Sequence, residues 1–282
     1  MEVKIFHTND IHSALNNYVK FKGFLNDKRH QYRDNMIYVD IGDHVDRSHP
    51  YTEATLGKGN VDLLNEAGCD VATIGNNEGI TLTQEQLAHL YDDADFDVIC
   101  ANLRDVGASE PFFKPYIIKE IKGVKIGFIA ATVEFTPFYL ALDWEVQDAF
   151  LWIERYLNEL KGQVDVIVML SHLGMYDDEN LANRFPEIDL ILSSHTHHHF
   201  DHGEEINGVL LAAAGRYGEY IGEVTLKFHN NTLIDKRAKL IESDFLAPKE
   251  NGYYNIGKEM LDKSILKDQA YPIERRLYSA SR

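Results

Sequence analysis

Short apolar runs alternate with longer amphipathic segments in the first part of the chain, the pattern of βαβ units. The runs that read as strands are EVKIFH, NMIYVDIG, DVATIG, FDVICANL, YIIKEI, VKIGFIAAT, VDVIVMLS, IDLILSS, GVLLAAAG, YIGEVTLKF and TLIDKRAKLIE. Apolar residues at helical spacing predict helices over 15–27, 52–66, 83–91, 144–160 and 178–185. Helical segments separate the first three runs, whereas later runs follow one another closely, as hairpins do. Lys122-Gly123, between YIIKEI and VKIGF, reads as a two-residue hairpin turn. The sheet is therefore expected to be mixed, parallel early and partly antiparallel late. After about residue 243 the sequence turns polar with scattered apolar residues. The expected organisation is one globular domain over 1–243 and a linker or tail over 244–282, partly helical from 258 to 267. Such a linker would lead toward a C-terminal domain absent from this chain.

Composition narrows the class. With 282 residues, 44% of them hydrophobic and 26% charged, the chain suits a soluble globular protein with a sizeable core. No run is apolar and long enough to span a bilayer. The N-terminal MEVKIFHTND goes straight into a strand pattern without a basic stretch or apolar signal core, which predicts a cytoplasmic location. A formal net charge of −17 argues against a nucleic-acid polymer or an anionic membrane as partner. It leaves room for a phosphorylated small molecule, because a bound cation reverses the field locally. Cys69 and Cys100 lie in apolar surroundings, form no CxxC pair, and read as small buried residues.

The chemistry sits at the ends of the strands. VKIFH runs into Thr8-Asn9-Asp10-Ile11-His12, MIYVDIG into Asp43, VATIG into Asn76, VIVMLS into His172, and DLILSS into His195-Thr196-His197. Ligand sites of α/β sheets form at the carboxyl ends of strands, so these groups converge if the strands run parallel. The set Asp10, His12, Asp43, Asn76, His172, His195 and His197 mixes nitrogen and oxygen donors, which suits Mn²⁺, Fe²⁺ or Zn²⁺. Seven donors exceed what one such ion takes. With a shared carboxylate they suit two ions about 3.5–4 Å apart. His198, His199 and His202 read as a solvated loop, and His7 and His44 as candidates to orient the ligands beside them.

HTNDIH, GDHVDRS, TIGNNE, SHLG and SSHTH occur in an order that resembles the five blocks of the calcineurin-like metallophosphoesterases. Within them the chain is similar to the metallophosphatase domain of the 5′-nucleotidase, UDP-sugar hydrolase and cyclic-nucleotide phosphodiesterase group. CANL, KPYIIKEIKGVKIGFIAAT and AAAGRYGEYIGEVTL match as well, so the resemblance runs from about Val3 to Glu242. It implies an α/β fold, a four-layer α-β-β-α sandwich of two mixed sheets. It assigns Asp10, His12 and His197 to one metal, Asn76, His172 and His195 to a second, and Asp43 to both. It implies in-line attack by a water activated between the metals on a phosphoester or phosphoanhydride of a nucleotide or related metabolite.

Two features depart from that family. Its third block normally reads Gly-Asn-His-Glu, with a nearby Asp completing a His–Asp pair. Here Asn77 takes the histidine position and Ile80 the aspartate position. An amide has no proton to give near neutral pH. General acid catalysis contributes about 10²–10⁴-fold, so its loss leaves the electrostatic contribution in place. Asn77 is expected at the catalytic centre, and His44 is the first candidate for a substitute acid, with His198 and His199 behind it. The alternative is a catalytically impaired metal- or nucleotide-binding module. The second departure is length: family members usually carry a further substrate-gripping domain.

Overall fold

The structure, a computed structural model, describes residues 1–246. In chain order its strands are β1 (Glu2–Thr8), β2 (Met36–Asp40), β3 (Val71–Ala72), β4 (Asp97–Val98), β5 (Leu103–Asp105), β6 (Tyr116–Ile121), β7 (Val124–Thr132), β8 (Trp144–Val146), β9 (Val166–His172), β10 (Leu190–Ser193), β11 (Glu204–Ile206), β12 (Val209–Ala213), β13 (Tyr220–His229) and β14 (Thr232–Glu242). The helices are α1 (Leu15–Tyr32), α2 (Pro50–Thr55), α3 (Lys58–Glu66), α4 (Asn76–Thr81), α5 (Gln84–Ala88), α6 (Thr136–Leu140), α7 (Ala149–Leu160) and α8 (Met175–Arg184). The helix expected over 258–267 lies outside the described residues.

One six-stranded sheet has the order β14-β13-β1-β2-β3-β4 and the other β11-β12-β10-β9-β7-β6. Both are mixed. The inner strands β1 to β4, and β7, β9, β10 and β12, pair in parallel. β13, β14, β6 and β11 pair antiparallel. Parallel strands need both faces covered, and the period-two alternation of side chains shows how. In β7, Ile126, Phe128 and Ala130 join Val3, Ile5, Val39 and Val168 in a core shared by the two sheets. Ile129 and Ala131, on the opposite face, pack with Ile153, Leu157 and Leu181 of α7 and α8. Phe6 and Tyr38, on the outer face of the other sheet, pack with Tyr18, Phe21 and Leu63 of α1 and α3. Three cores thus separate four layers, α-β-β-α.

The Lys122-Gly123 turn joins β6 to β7 with φ of 50° and 85°, the double positive φ that a type I′ hairpin needs. Elsewhere local chemistry overrides the periodicity. The expected helix over 144–160 begins only at Ala149, because the Asp148 side chain accepts from the Phe150 and Leu151 amides as an N-cap. Trp144–Val146 instead pairs with β5. The expected helix over 52–66 breaks into α2 and α3 at Leu56 and Gly57, both at positive φ.

Candidate metal centre

Parallel pairing puts the carboxyl ends of β1, β2 and β3 on one rim, and those of β9 and β10 on the rim of the facing sheet. The chain leaves these strands in tight turns. Asp10, His12, Asp43, His195 and His197 all have positive φ, between 46° and 72°. Such residues cost about 1 kcal/mol or more each and cluster at functional sites. Among the described residues two groups bring donor atoms within 4.8 Å of one another: Asp10 with His12 and His197, and Asp10 with Asp43 and His172.

The geometry is specific. His12 Nε2 lies 3.8 Å from Asp10 Oδ1, 3.7 Å from Asp43 Oδ2 and 3.2 Å from His197 Nε2. His197 Nε2 is 3.5 Å from Asp10 Oδ1. On the other side His172 Nε2 is 3.4 Å from Asp43 Oδ1. Asp10 belongs to both groups, and Asp43 turns Oδ1 to His172 and Oδ2 to His12. The His195 ring stands beside His172 at 5.4 Å between centroids and against Phe135 at 5.6 Å. Asn76 opens α4 beside this group, its Oδ1 buried and without a hydrogen-bond partner.

These residues fit cations. His172 Nδ1 lies 2.7 Å from the Ile41 carbonyl, to which it donates, and this turns the buried Nε2, which has no hydrogen bond of its own, to the centre as the nitrogen that a cation would take. In the metal-free chain burial works against charge on His172, yet Asp43 and Asp10 raise its pKa to about 10. The carboxylates thus hold a positive charge where a divalent ion would supply one. Burial alone would raise the Asp10 pKa; hydrogen bonding with His197, the charge of His172, and hydrogen bonds from Asn9 and Ser194 together lower it to about 2.

Several supporting residues escaped the sequence reading. Glu78, buried in α4, accepts from the backbone amides of Asp43 (3.0 Å), Val45 (2.8 Å) and Gly75 (2.9 Å) and ties the β2 and β3 turns together. Burial and the charge of Asp43 push its carboxyl up to about 7. Asn9 donates to Asp10 Oδ2 (2.8 Å) and Ser194 Oγ to the same oxygen (2.8 Å). The Glu-after-Asn pattern in NNEG was the available signal for Glu78, as a capping residue three positions beyond Gly75. Gly75 is required for close approach. A Cβ there would lie 2.1 Å from Asp43 Oδ1 and 2.5 Å from His172 Cε1. Gly75→Ala is expected to cost about 1–3 kcal/mol of stability through overpacking and to lower metal content, read by thermal melting and elemental analysis.

The expected catalytic residues part company. Asn77 faces the centre: its backbone amide donates to Asp43 Oδ1 (2.7 Å) and its side-chain amide lies 2.8 Å from His12 Nδ1. Ile80 packs against the core instead. His44 is turned inward, its ring 4.6 Å from that of Tyr18 and its Nδ1 3.2 Å from the Asn60 amide. Burial lowers its pKa to about 3. The expectation of a proton donor rested on adjacency to Asp43, whereas the ring packs on Tyr18 with its Nε2 buried and without a hydrogen bond. His7 is likewise a core histidine, against Gly222 of β13. His198 is exposed, with Nδ1 at 2.9 Å from Thr196 Oγ1, and His199 stacks on Tyr220.

Comparison with known proteins shows the family and the fold. The family model described as calcineurin-like phosphoesterase matches residues 3–199. An uncharacterized metallophosphoesterase of Bacillus subtilis, YunD, is 46% identical over 246 residues, covering 85% of this chain and 53% of the relative. A 2′,3′-cyclic-nucleotide 2′-phosphodiesterase/3′-nucleotidase of Haemophilus influenzae is 27% identical over 72% of this chain and 37% of its own length. The chain thus spans about half of the first relative and less of the second. The solved structure of the calcineurin-like phosphoesterase YfkN from Bacillus subtilis superposes with a TM-score of 0.76 at 19% identity, covering 96% of this chain and 98% of that one, a likeness of fold.

Proposed function

The chain belongs to the calcineurin-like phosphoesterase family, and from that premise we propose that it is a metal-dependent phosphohydrolase of 5′-nucleotidase type. The observation that carries the proposal is the two donor groups that share Asp10, with Asp43 reaching toward His172 through Oδ1 and toward His12 through Oδ2, beside His172 Nε2 and Asn76 Oδ1, which have no hydrogen bond. Asp10, His12 and His197 are assigned to one divalent ion, Asn76, His172 and His195 to another, and Asp43 to both. When bound, such ions supply Lewis acidity at the phosphoryl group and activation of the attacking water. The chain's own residues fix the donors: Ile41 and Ser194 set the His172 tautomer, and Asn9 and Ser194 fix the Asp10 carboxylate.

The proposed substrate is a phosphoester or phosphoanhydride of a nucleotide or related metabolite. Two features of the rim support it. Tyr217 stands 5.6 Å from the His12 ring and is partly exposed, so it can stack on a planar base. The Arg216 guanidinium lies 4.8 Å over Tyr217 and 3.5 Å from His197 Nδ1, where it can meet a phosphate oxygen. Asn77 and Ile80 favour a second reading, a binding module without turnover.

One experiment separates the two. The chelated protein is assayed on an aryl phosphate before and after Mn²⁺ is restored, alongside its melting temperature. Saturation at about 100 times Kd should stabilise by about 2.7 kcal/mol, or about 5–10 °C for a domain of this size. Hydrolysis should appear only with the metal. A melting shift without turnover on aryl, alkyl or pyrophosphate substrates would establish the binding module instead.

A further inference from the structure

Strand β7 ends alongside the metal centre, because Thr132 pairs with His172 of β9. The segment that follows, residues 133–142, therefore borders the rim. It contains α6 and is fixed in place. Pro137 lies in the first turn of α6. Tyr139 is fully buried, and its ring fills the space that a side chain would take at Gly79: a Cβ there would meet the ring at 2.3 Å. Gly79 belongs to α4, the helix that begins with Asn76 and Asn77. So α6 is docked on the helix that carries part of the centre.

What α6 leaves uncovered is apolar. Phe138 is 62% exposed and Leu140 47%. Phe135, partly buried, stands 5.6 Å from the His195 ring and 6.5 Å from the Phe138 ring. Single exposed apolar residues are ordinary. Here two rings in succession lead from a residue of the centre out to solvent, and contiguous apolar surface of that kind marks a binding groove. Charge narrows the occupant. Residues 133–142 carry one charged side chain, Glu134, and no basic one. The segment thus offers no cation to a second phosphate, and its carboxylate repels one. Tyr217 lies on another side of the centre, beside His12 and His197, so this surface is a separate contact.

Resting on the phosphohydrolase reading above, we propose that Phe138, backed by Phe135, is a specificity-determining residue: the two rings form an apolar wall on the His195 side of the centre for an uncharged aromatic group carried by the phosphoester. Offset or edge-to-face contact with two rings favours such a group over an aliphatic one. The wall is held by Tyr139 and Pro137, so it needs no rearrangement to receive the substrate.

The test reads binding, so the acidity of a leaving group does not enter. Calorimetric titrations of the full chain loaded with Mn²⁺ compare methylphosphonate with 2-naphthylphosphonate, which share the anion and differ in the ring. The wild type should bind 2-naphthylphosphonate at least about tenfold more tightly, and Phe138→Ala should lose about that factor. Phe138→Trp should keep it. Because Phe138 is exposed, Phe138→Ala should melt as the wild type does. Equal affinity of the wild type for the two phosphonates, or a preference that survives in Phe138→Ala, overturns the proposal. A preference lost in Tyr217→Ala but kept in Phe138→Ala would place the aromatic group on the His12 side instead. A change in the association state of Phe138→Ala by light scattering, with the preference intact, would make α6 an interface between chains and overturn the proposal as well. If the wild type binds neither phosphonate, the phosphohydrolase reading falls and takes this proposal with it.

Discussion

Asp43→Asn is expected to lower hydrolysis of an aryl phosphate by at least about 10³-fold and to weaken both bound ions. Asp43 is buried, and its two oxygens serve opposite halves of the centre: Oδ1 at 3.4 Å from His172 Nε2, Oδ2 at 3.7 Å from His12 Nε2. The amide keeps the shape but removes a charge and turns one oxygen into a donor. Two unit charges about 4 Å apart interact by about 4 kcal/mol at an effective dielectric of 20, and each 1.4 kcal/mol is about tenfold in rate. The estimate is a lower bound, because the partner is divalent. The backbone should hold, since the Asp43 amide stays bound to Glu78. Metal titration and kcat on the same preparation check it. Near-native occupancy and rate in Asp43→Asn would remove Asp43 from the centre.

A steep dependence on the leaving group is the second large effect. Alkyl phosphates should react at least about 10²-fold more slowly than aryl phosphates, because neither Asn77 nor Ile80 can act as the general acid. Asn77 has no proton to give, and Ile80 packs into the core. His44 is enclosed and its pKa is lowered to about 3 by burial, so it stays neutral. His198 is occupied at Nδ1 by Thr196, and His199 is stacked on Tyr220. A substrate that expels phosphate or a phenolate needs no proton and should fall in the fast class. The check is kcat across monoesters of graded leaving-group pKa. A flat series would require a proton donor, and replacing His198 and His199 in turn would find it.

How much of this was legible in the sequence depends on the kind of signal. The strand ends that carry Asp10, Asp43, Asn76, His172 and His195 were readable, because apolar runs stop there abruptly and the topology follows from the alternation with helices. The Lys122-Gly123 hairpin was readable from residue chemistry alone. The helix α4 was harder to read: NNEGIT is too short to show a helical period, and only the Glu78 cap three residues beyond Gly75 marks its start. β8 was hidden because Trp144–Val146 abuts a helical pattern, and only the Asp148 cap separates them. The direction of His44 was beyond reach. Adjacency to Asp43 gives position along the chain, but positive φ at Asp43 turns the next side chain inward, toward Tyr18. The contact between Asn77 and His12 joins residues 65 apart and needs the folded rim.

The central claim is a centre built for two cations. The most direct measurement is the metal content of the purified chain after loading with Mn²⁺ and removal of the excess, by elemental mass spectrometry. The expected result is close to two ions per chain; one ion, or none, would contradict the account.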